Sequence, residues 1–512
     1  IDNLDFPKDS KELKDRWRKL LKYQTLSRFV NLKNSQKEKV EKGDLEKVES
    51  DQELEKKARE GMRKSYDRVF RRVNGWTDKD YRSRYLNAVA STFDPHTNYY
   101  APRDKKNFDE QFTGHYEGIG ARLQEQDNGY IKITEVMTGG PAARQGELQA
   151  EDEIIKVGQG TEDAVDVVNM PINDAIVLIK GKKGTIVSLT VKRGAELLVI
   201  PIERDVVVIE ETYAKSVLVE DGNGTQYGYI RLPSFYQDFQ DESGPSCFRD
   251  VAAEIEKLKT HKVGGVVLDL RNSGGGSLYD AIKMAGLFIE EGPVVQVKSR
   301  NRAPYVMRDE DPDLQYDGPL VILVNEFSAS ASEILAAAMQ DYGRAVVVGN
   351  QTYGKGTVQN VMRLADYIED NEEELGQLKM TMGQFFRING GSTQNRGVIP
   401  DIEFPASPGA GKYGESEYDN ALAWSSIAPS DYNVYADLSD EIVYLKQRFN
   451  ERSKVNFEFD FLKTENQLYE AQKDDLTVSL SAEARQQKAK EREQRKEQRK
   501  AKREAMLAAT EP

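Results

Sequence analysis

Cysteine is nearly absent from this chain: Cys247 stands alone among 512 residues. A single thiol excludes an intrachain disulfide and every Cys-x-x-Cys metal or redox motif. Histidine is almost as scarce, with only His96, His115 and His261. None of the three falls in an H-E-x-x-H frame, which argues against a zinc hydrolase. No apolar run approaches the roughly 18 residues that a membrane-crossing helix needs, so no membrane span is expected within this sequence. Positive charge is also in deficit, 86 Asp and Glu against 72 Lys and Arg for a net of −14. That balance disfavours general nucleic-acid binding. No motif asks for a metal or an organic cofactor, and none is expected. The first residue is Ile1 rather than Met, as removal of a leader would leave it.

What is present divides into textures. At this length one hydrophobic core gives way to several. Residues 1–108 are rich in Lys, Glu and Arg, with Leu20, Leu21, Leu26, Phe29 and Val30 at helical spacing, and are expected to form a helical domain. Over 109–203, short β-type runs such as YIKITEV and IVSLTVKR are broken by TGGPA and GKKG, which marks a small β-rich module. Residues 204–405 alternate buried-strand runs (GGVVLDLR, PLVILVN, RAVVVG) with helical ones (SLYDAIKMAGLFI, SASEILAAAMQDYG), the pattern of layered α/β structure. From 406 to 512 the chain turns helical again. It closes in the Lys- and Arg-rich stretch Glu483–Glu504, which reads as a solvated helix or frayed tail, with attraction to an anionic surface as the other reading.

Three stretches bear on chemistry. GNQTYGKGT, Gly349–Thr357, is nearly a phosphate-binding P-loop, but Gly356 stands where Ser or Thr would reach Mg²⁺. The sequence after Lys355 also looks like a strand rather than a helix. A lysine between two glycines is equally compatible with a hairpin tip. The second stretch, LVILVNEFSASASEILAAAMQDYG, runs from a buried strand through a turn into a helix and displays Ser328, Ser330 and Ser332. Ser330 with Glu333 fits an S-x-x-E capping box; a serine at such a turn is also how hydrolases expose a nucleophile beside helix amides. The third, VVLDLRNSGGGSLYDA, ends a strand in Gly274, Gly275 and Gly276. Bare N–H groups there suit an oxyanion hole, or simply a tight turn.

Together these stretches, with DPHTNYYAPR and EGIGARL further upstream, closely resemble the carboxyl-terminal processing proteases of family S41, in the long tail-specific branch. The resemblance covers about residues 90–405. It implies a crotonase- or ClpP-like α/β serine protease core, an embedded PDZ domain and helical N- and C-terminal domains. By residue, it implies Ser330 as nucleophile, Lys355 as general base and Gln359 as the group that holds the lysine. Asp341 and Glu333 match acidic supporting positions. Backbone N–H groups near Gly275, Gly276 and Ala331 would meet the oxyanion. The chemistry agrees: residues 264–404 contain no histidine, so a serine there needs another base. A lysine with its ordinary pKa of about 10.4 must be desolvated to serve.

The resemblance also places YEGIG, Tyr116–Gly120, at the PDZ carboxylate-binding loop, with Gly118, Ile119 and Gly120 facing a substrate C-terminus; five such residues alone also suit a plain β-turn. The downstream GGPAARQGELQAEDEIIKVG supports the PDZ reading. The expected function is a Ser-Lys endopeptidase that selects protein or peptide substrates by apolar C-termini, with an adaptor protein as a possible partner. The implied setting is the periplasm, with association with the inner membrane as a further expectation, where it would degrade or process exported and envelope proteins. The rivals are a P-loop nucleotide-binding enzyme and a non-catalytic PDZ scaffold.

Overall fold

The computed structural model describes residues 5–43, 48–126, 128–160, 162–239, 241, 243–368 and 375–510. They divide into two compact units. One unit joins the two ends of the chain, the residues up to Thr77 and those from Gln467 onward. Its helix Asp51–Asn74 begins in a reciprocal capping box, where Ser50 Oγ accepts from Glu53 N–H and Glu53 Oε2 accepts from Ser50 N–H at 2.7 Å. Phe29 and Val30 from helix Ser10–Glu41 meet Leu54 and Ala58 in a small core, with Ala489 of helix Ala482–Thr510 packed against it. The basic closing run is therefore helical, and Ala489 helps to seal this core. The pairing of the two termini is not visible to a left-to-right reading, because so polar a helix carries almost no periodic apolar signal.

The second unit contains the β-rich module and the α/β core. In the module, strands Ala121–Glu125, Ile131–Val136, Glu153–Gln159, Ile186–Arg193 and Glu196–Glu203 form one antiparallel sheet in the order first, second, third, fourth, fifth. Their inward alternation (Ile131, Ile133, Val187, Leu189, Val191) fills a core with Ala175 and Ile179 of helix Ile172–Ile179. Strand Ala121–Glu125 lies at the sheet edge.

The core sheet runs Lys215–Glu220, Gln226–Arg231, Val266–Asp269, Leu320–Val324, Val346–Gly349, Ile402–Glu403. Its first pair is antiparallel and every later pair parallel. Parallel strands buried on both faces read as unbroken apolar runs, which is why VVLDL, LVILV and VVVG are so plain in the sequence. Helices Cys247–Thr260, Leu278–Gly286 and Ala331–Asp341 bury Val251, Ile255, Ala281, Met284, Leu335 and Met339 in the core shared with this sheet. A second sheet is built around the long strand Gln377–Phe386, which pairs with Asn98–Tyr100, with Thr357–Arg363 and with Gly292–Lys298. Among the described residues, no helix is long and apolar enough to cross a membrane.

Candidate active site

Three neighbouring parallel strands decide where chemistry can occur. Val266–Asp269, Leu320–Val324 and Val346–Gly349 lie side by side in register, Asp269 against Leu323 and Leu323 against Val348. Their carboxyl ends open together, the usual place for ligand sites in open α/β sheets. The loops that leave them are the glycine run, the serine turn and the G-K-G turn.

The three serines of the turn differ in role. Ser328 is fully buried; its hydroxyl donates to the Leu270 carbonyl at 2.8 Å and accepts from Asn325 N–H at 2.9 Å. Ser332 is fully buried as well and donates to Ser273 at 2.9 Å. Ala329 N–H adds a bond to the Ser273 carbonyl. Ser328 and Ser332 thus staple the serine turn to the glycine loop. Ser330, between them, has φ 57° and ψ −114° just before helix Ala331–Asp341. Positive φ at a residue with a Cβ is strained and persists only where surroundings impose it.

What imposes it is Glu333. Its carboxylate, with no exposed surface, accepts from Ser330 N–H at 2.7 Å, Thr352 Oγ1 at 2.6 Å, Gly354 N–H at 2.7 Å and Lys355 N–H at 3.0 Å. The capping glutamate expected from S-x-x-E is present, and it reaches across to the lysine turn as well. One oxygen, Oε2, serves the backbone nitrogens of both Ser330 and Lys355. Burial pushes this carboxyl up to about 7, against the pull of its four donors.

Lys355 sits in a turn with every main-chain group partnered. Besides the two N–H bonds to Glu333, Gly356 N–H donates to Gln394 Oε1 at 2.8 Å. The three carbonyls accept from Asn395 N–H, Thr393 Oγ1 and Phe385 N–H in turn. Desolvation pulls the Lys355 ammonium down to about 8; the nearby Lys379 charge acts in the same direction, while Glu415, Glu333 and Asp94 oppose it. The residues after it form strand Thr357–Arg363, not a helix, so the helix N-terminus of a P-loop is missing.

Gly275 lies against the serine turn. A Cβ there would stand 2.8 Å from Ser330 Cβ and 2.9 Å from the Ala331 nitrogen, and Gly275 has φ 89°. A Cβ on Gly276 would strike the Phe235 carbonyl. Among the described residues, the N–H groups of Gly275, Gly276 and Ala331 have no acceptor within the chain. Unused donors beside a serine hydroxyl are what an oxyanion hole would require.

In the β-rich module, Gly118 ends strand His115–Gly118, while Ile119 and Gly120 form a buried bend. The Ile119 carbonyl accepts from Ala142 N–H and the Gly120 carbonyl from Met137 N–H. Their own N–H groups have no acceptor among the described residues. Gly120 has φ 73°, and a Cβ on it would lie 3.1 Å from Gly140 Cα.

Of the other expected positions, one lies apart from the serine and one beside the lysine turn. Asp341 closes the far end of the helix that Ser330 begins, some 15 Å away at about 1.5 Å per residue, where it binds Arg387 at 2.6 Å and Asn389 at 2.7 Å. It is part of an ion pair that anchors the helix, not a neighbour of the serine. Gln359 donates to the hydroxyls of Thr357 at 2.8 Å and Thr381 at 3.1 Å, so its observed bonds run beside the lysine turn. The sequence reading also missed residues. His96 lies far outside 264–404, yet its Nε2 contacts the carboxylate of the fully buried Glu415 at 2.7 Å. Gln394 and Thr393, which bond the lysine turn, stand in no sequence motif. No local pattern marks them, since their partners lie tens to hundreds of residues away.

Comparison with known proteins matches four stretches of the chain to family models. Peptidase family S41 matches residues 226–404 and a PDZ domain residues 111–192. The tail specific protease N-terminal domain matches residues 1–103, and the C-terminal domain of tail specific protease residues 410–511. The chain is 42% identical to the tail-specific protease of Haemophilus influenzae over 72% of its own length and 52% of that protein's, so it spans about half of that relative. It is 31% identical to the carboxy-terminal processing protease CtpA of Bacillus subtilis, covering 67% of this chain and 68% of the relative. Among solved structures, the PDZ domain of a Vibrio cholerae carboxy-terminal protease in complex with peptide is 44% identical over 18% of this chain and 97% of that one, with a TM-score of 0.18.

The desolvated lysine makes a stability prediction. Below about pH 8 the folded chain holds a charged Lys355 in a poorly hydrated place, whereas the unfolded chain keeps its lysine charged at no cost. Above the ordinary value of 10.5 both states are neutral and the penalty vanishes. Lys355→Met should therefore be more stable than the wild type at pH 7, by on the order of 2 kcal/mol after allowing for partial exposure. The gap should close between pH 8 and 10.5. Paired denaturant melts at several pH values measure it, and a Lys355→Met protein no more stable than wild type at pH 7 would contradict the desolvated lysine.

Proposed function

The chain belongs to the S41 serine peptidases, in their tail-specific branch, and from that premise we propose that it is an endopeptidase with Ser330 as nucleophile and Lys355 as general base. The observation that carries this reading is the Glu333 carboxylate, which hydrogen-bonds the backbone of both residues while the lysine pKa falls to about 8. The neutral amine of Lys355 takes the Ser330 hydroxyl proton as Oγ attacks the scissile carbonyl. The N–H groups of Gly275, Gly276 and Ala331 receive the oxyanion. The new ammonium then gives its proton to the leaving amine as the C–N bond breaks. In deacylation a water attacks the ester, Lys355 again holds the proton, and Ser330 Oγ leaves with it. Gln359 supports the lysine through Thr357 and Thr381; Glu333 holds the turns, and Asp341 the helix.

The PDZ domain supplies selection. The free N–H groups of Ile119 and Gly120, with Gly118 beside them, receive a substrate carboxylate, and the open edge of strand Ala121–Glu125 takes the peptide as an added strand. Helix Ile172–Ile179 and Leu123 offer apolar surface for the last side chain. We place the protein among exported peptidases that process or degrade envelope proteins in the periplasm, with an adaptor as a possible partner.

Ser330→Ala and Lys355→Ala are each expected to abolish peptide cleavage and labelling of Ser330 by a small phosphonate. Because the active lysine is neutral, kcat/KM of the wild type should rise with pH and level off above about 8. Near-normal turnover by Lys355→Ala, or a flat profile from pH 6 to 10 with the fold intact, would remove Lys355 as the base. Failure of the phosphonate to label the wild type would favour a non-catalytic scaffold.

For the PDZ site, a free-acid peptide ending in small apolar residues should outperform its amidated twin at concentrations below KM. The amide lacks the anion that the loop is built to meet, so the loss should correspond to roughly 1 to 3 kcal/mol. A Gly120→Val protein should treat both peptides as poorly as the wild type treats the amide. Equal rates for the free-acid and amidated pair on the wild type would remove carboxylate recognition from the reading.

A further inference from the structure

The turn Asp94–Thr97 lies far from the serine and lysine in sequence and outside the fold elements that carry them, yet hydrogen bonds lead from it by two routes to the residues that follow Lys355. One arm starts at His96. Its Nε2 faces Glu415 Oε2 at 2.7 Å and Oε1 at 2.9 Å, so this nitrogen carries the proton that the carboxylate accepts. Glu415 Oε1 also accepts from Gln394 Nε2 at 3.1 Å, and Gln394 Oε1 accepts from Gly356 N–H at 2.8 Å. Glu415 N–H in addition holds the Tyr353 carbonyl. The other arm starts at Asp94. Its Oδ1 accepts from Thr381 Oγ1 at 2.9 Å, Thr381 Oγ1 accepts from Gln359 Nε2, and Gln359 Nε2 also reaches Thr357 Oγ1. The arms end at Gly356 and Thr357, the two residues that follow Lys355.

We propose that the Asp94–Thr97 turn is a positioning element for Lys355, with His96 and Glu415 as its decisive pair. The proposal rests on Lys355 being the base and goes beyond it by naming the residues that aim it. The cost of burying Glu415 supports the assignment. A buried carboxyl with no exposed surface is expensive unless well partnered, and Glu415 is met by the side chains of His96 and Gln394. A structural clasp for so distant a segment could be made from apolar groups at less cost. A carboxylate beside the lysine does what an apolar clasp cannot: it adds a charge to the lysine's surroundings. Those surroundings comprise Lys379 on strand Gln377–Phe386, Glu333 on the serine helix, Asp94 and His96 in the turn, and Glu415 itself. Lys379 favours the neutral amine, whereas Glu415, Glu333 and Asp94 favour the ammonium.

The test uses the full chain and four variants: His96→Gln, Glu415→Gln, Thr381→Val and, as reference, Lys355→Ala. For each, kcat and KM on one peptide and the rate of Ser330 labelling by a small phosphonate are measured from pH 6 to 10, with circular dichroism melts to check folding. His96→Gln, Glu415→Gln and Thr381→Val are expected to lose about 10- to 100-fold in kcat and in labelling rate, the range for a misplaced catalytic group, while KM changes little. Glu415→Gln keeps the shape of its side chain and removes the charge that favours the ammonium. Its acid limb should therefore move to lower pH, which a purely structural role would not produce. Wild-type kcat and an unmoved acid limb in folded His96→Gln and Glu415→Gln proteins would overturn the proposal. If either of these fails to fold, Thr381→Val reads the second arm, and unchanged kcat there would overturn it too. Activity in Lys355→Ala would instead refute the base assignment, so the two failures are told apart.

Discussion

The carboxylate of Glu333 is the constraint on which the site depends. It is buried, it has four hydrogen-bond donors, and two of them are the backbone nitrogens of Ser330 and Lys355. These residues leave different strands, so nothing local fixes their separation. Bonding both to one group does. The cost of burying an ionisable group is offset by this set of donors, and the pull on Ser330 N–H holds the serine in a backbone conformation it would otherwise leave.

Around that carboxylate the serine and lysine turns are closely bonded, while neighbouring N–H groups are left free. All main-chain donors and acceptors of Gly354–Gly356 are bonded, and Ser328 and Ser332 pin the serine turn to the glycine loop. The N–H groups of Gly275, Gly276 and Ala331 are left without acceptors. Such a division is expected where catalysis relies on dipoles oriented before the substrate arrives. The PDZ domain repeats the scheme: the carbonyls of Ile119 and Gly120 are bonded, and their N–H groups are open.

The limits of sequence reading follow from the range of each interaction. Strand–turn–helix order around Ser330 was legible because apolar runs, serine and glycine obey short periods, and parallel strands advertise their burial. Asp341 rides one helix with Ser330 but at its opposite end, because proximity in sequence along a helix is distance in space. His96 and Glu415 could not be paired from sequence, since 319 positions separate them and neither carries a pattern of its own. The shared unit of the first and last helices was hidden for the same reason.

By itself the sequence determined the kind of elements, their order, the absence of a local histidine base and the identities of a serine, a lysine and unhindered glycines at strand ends. Those are consequences of side-chain type and of periods of two to four residues. Only the tertiary structure decided that three strand ends would open side by side, that Glu333 would bond both the serine and the lysine turn, and that hydrogen bonds from a turn near residue 95 would reach Gly356 and Thr357. These depend on strand register and on hydrogen bonds closed across long stretches of chain. No local preference encodes them, because their energy appears only when the whole sheet has formed.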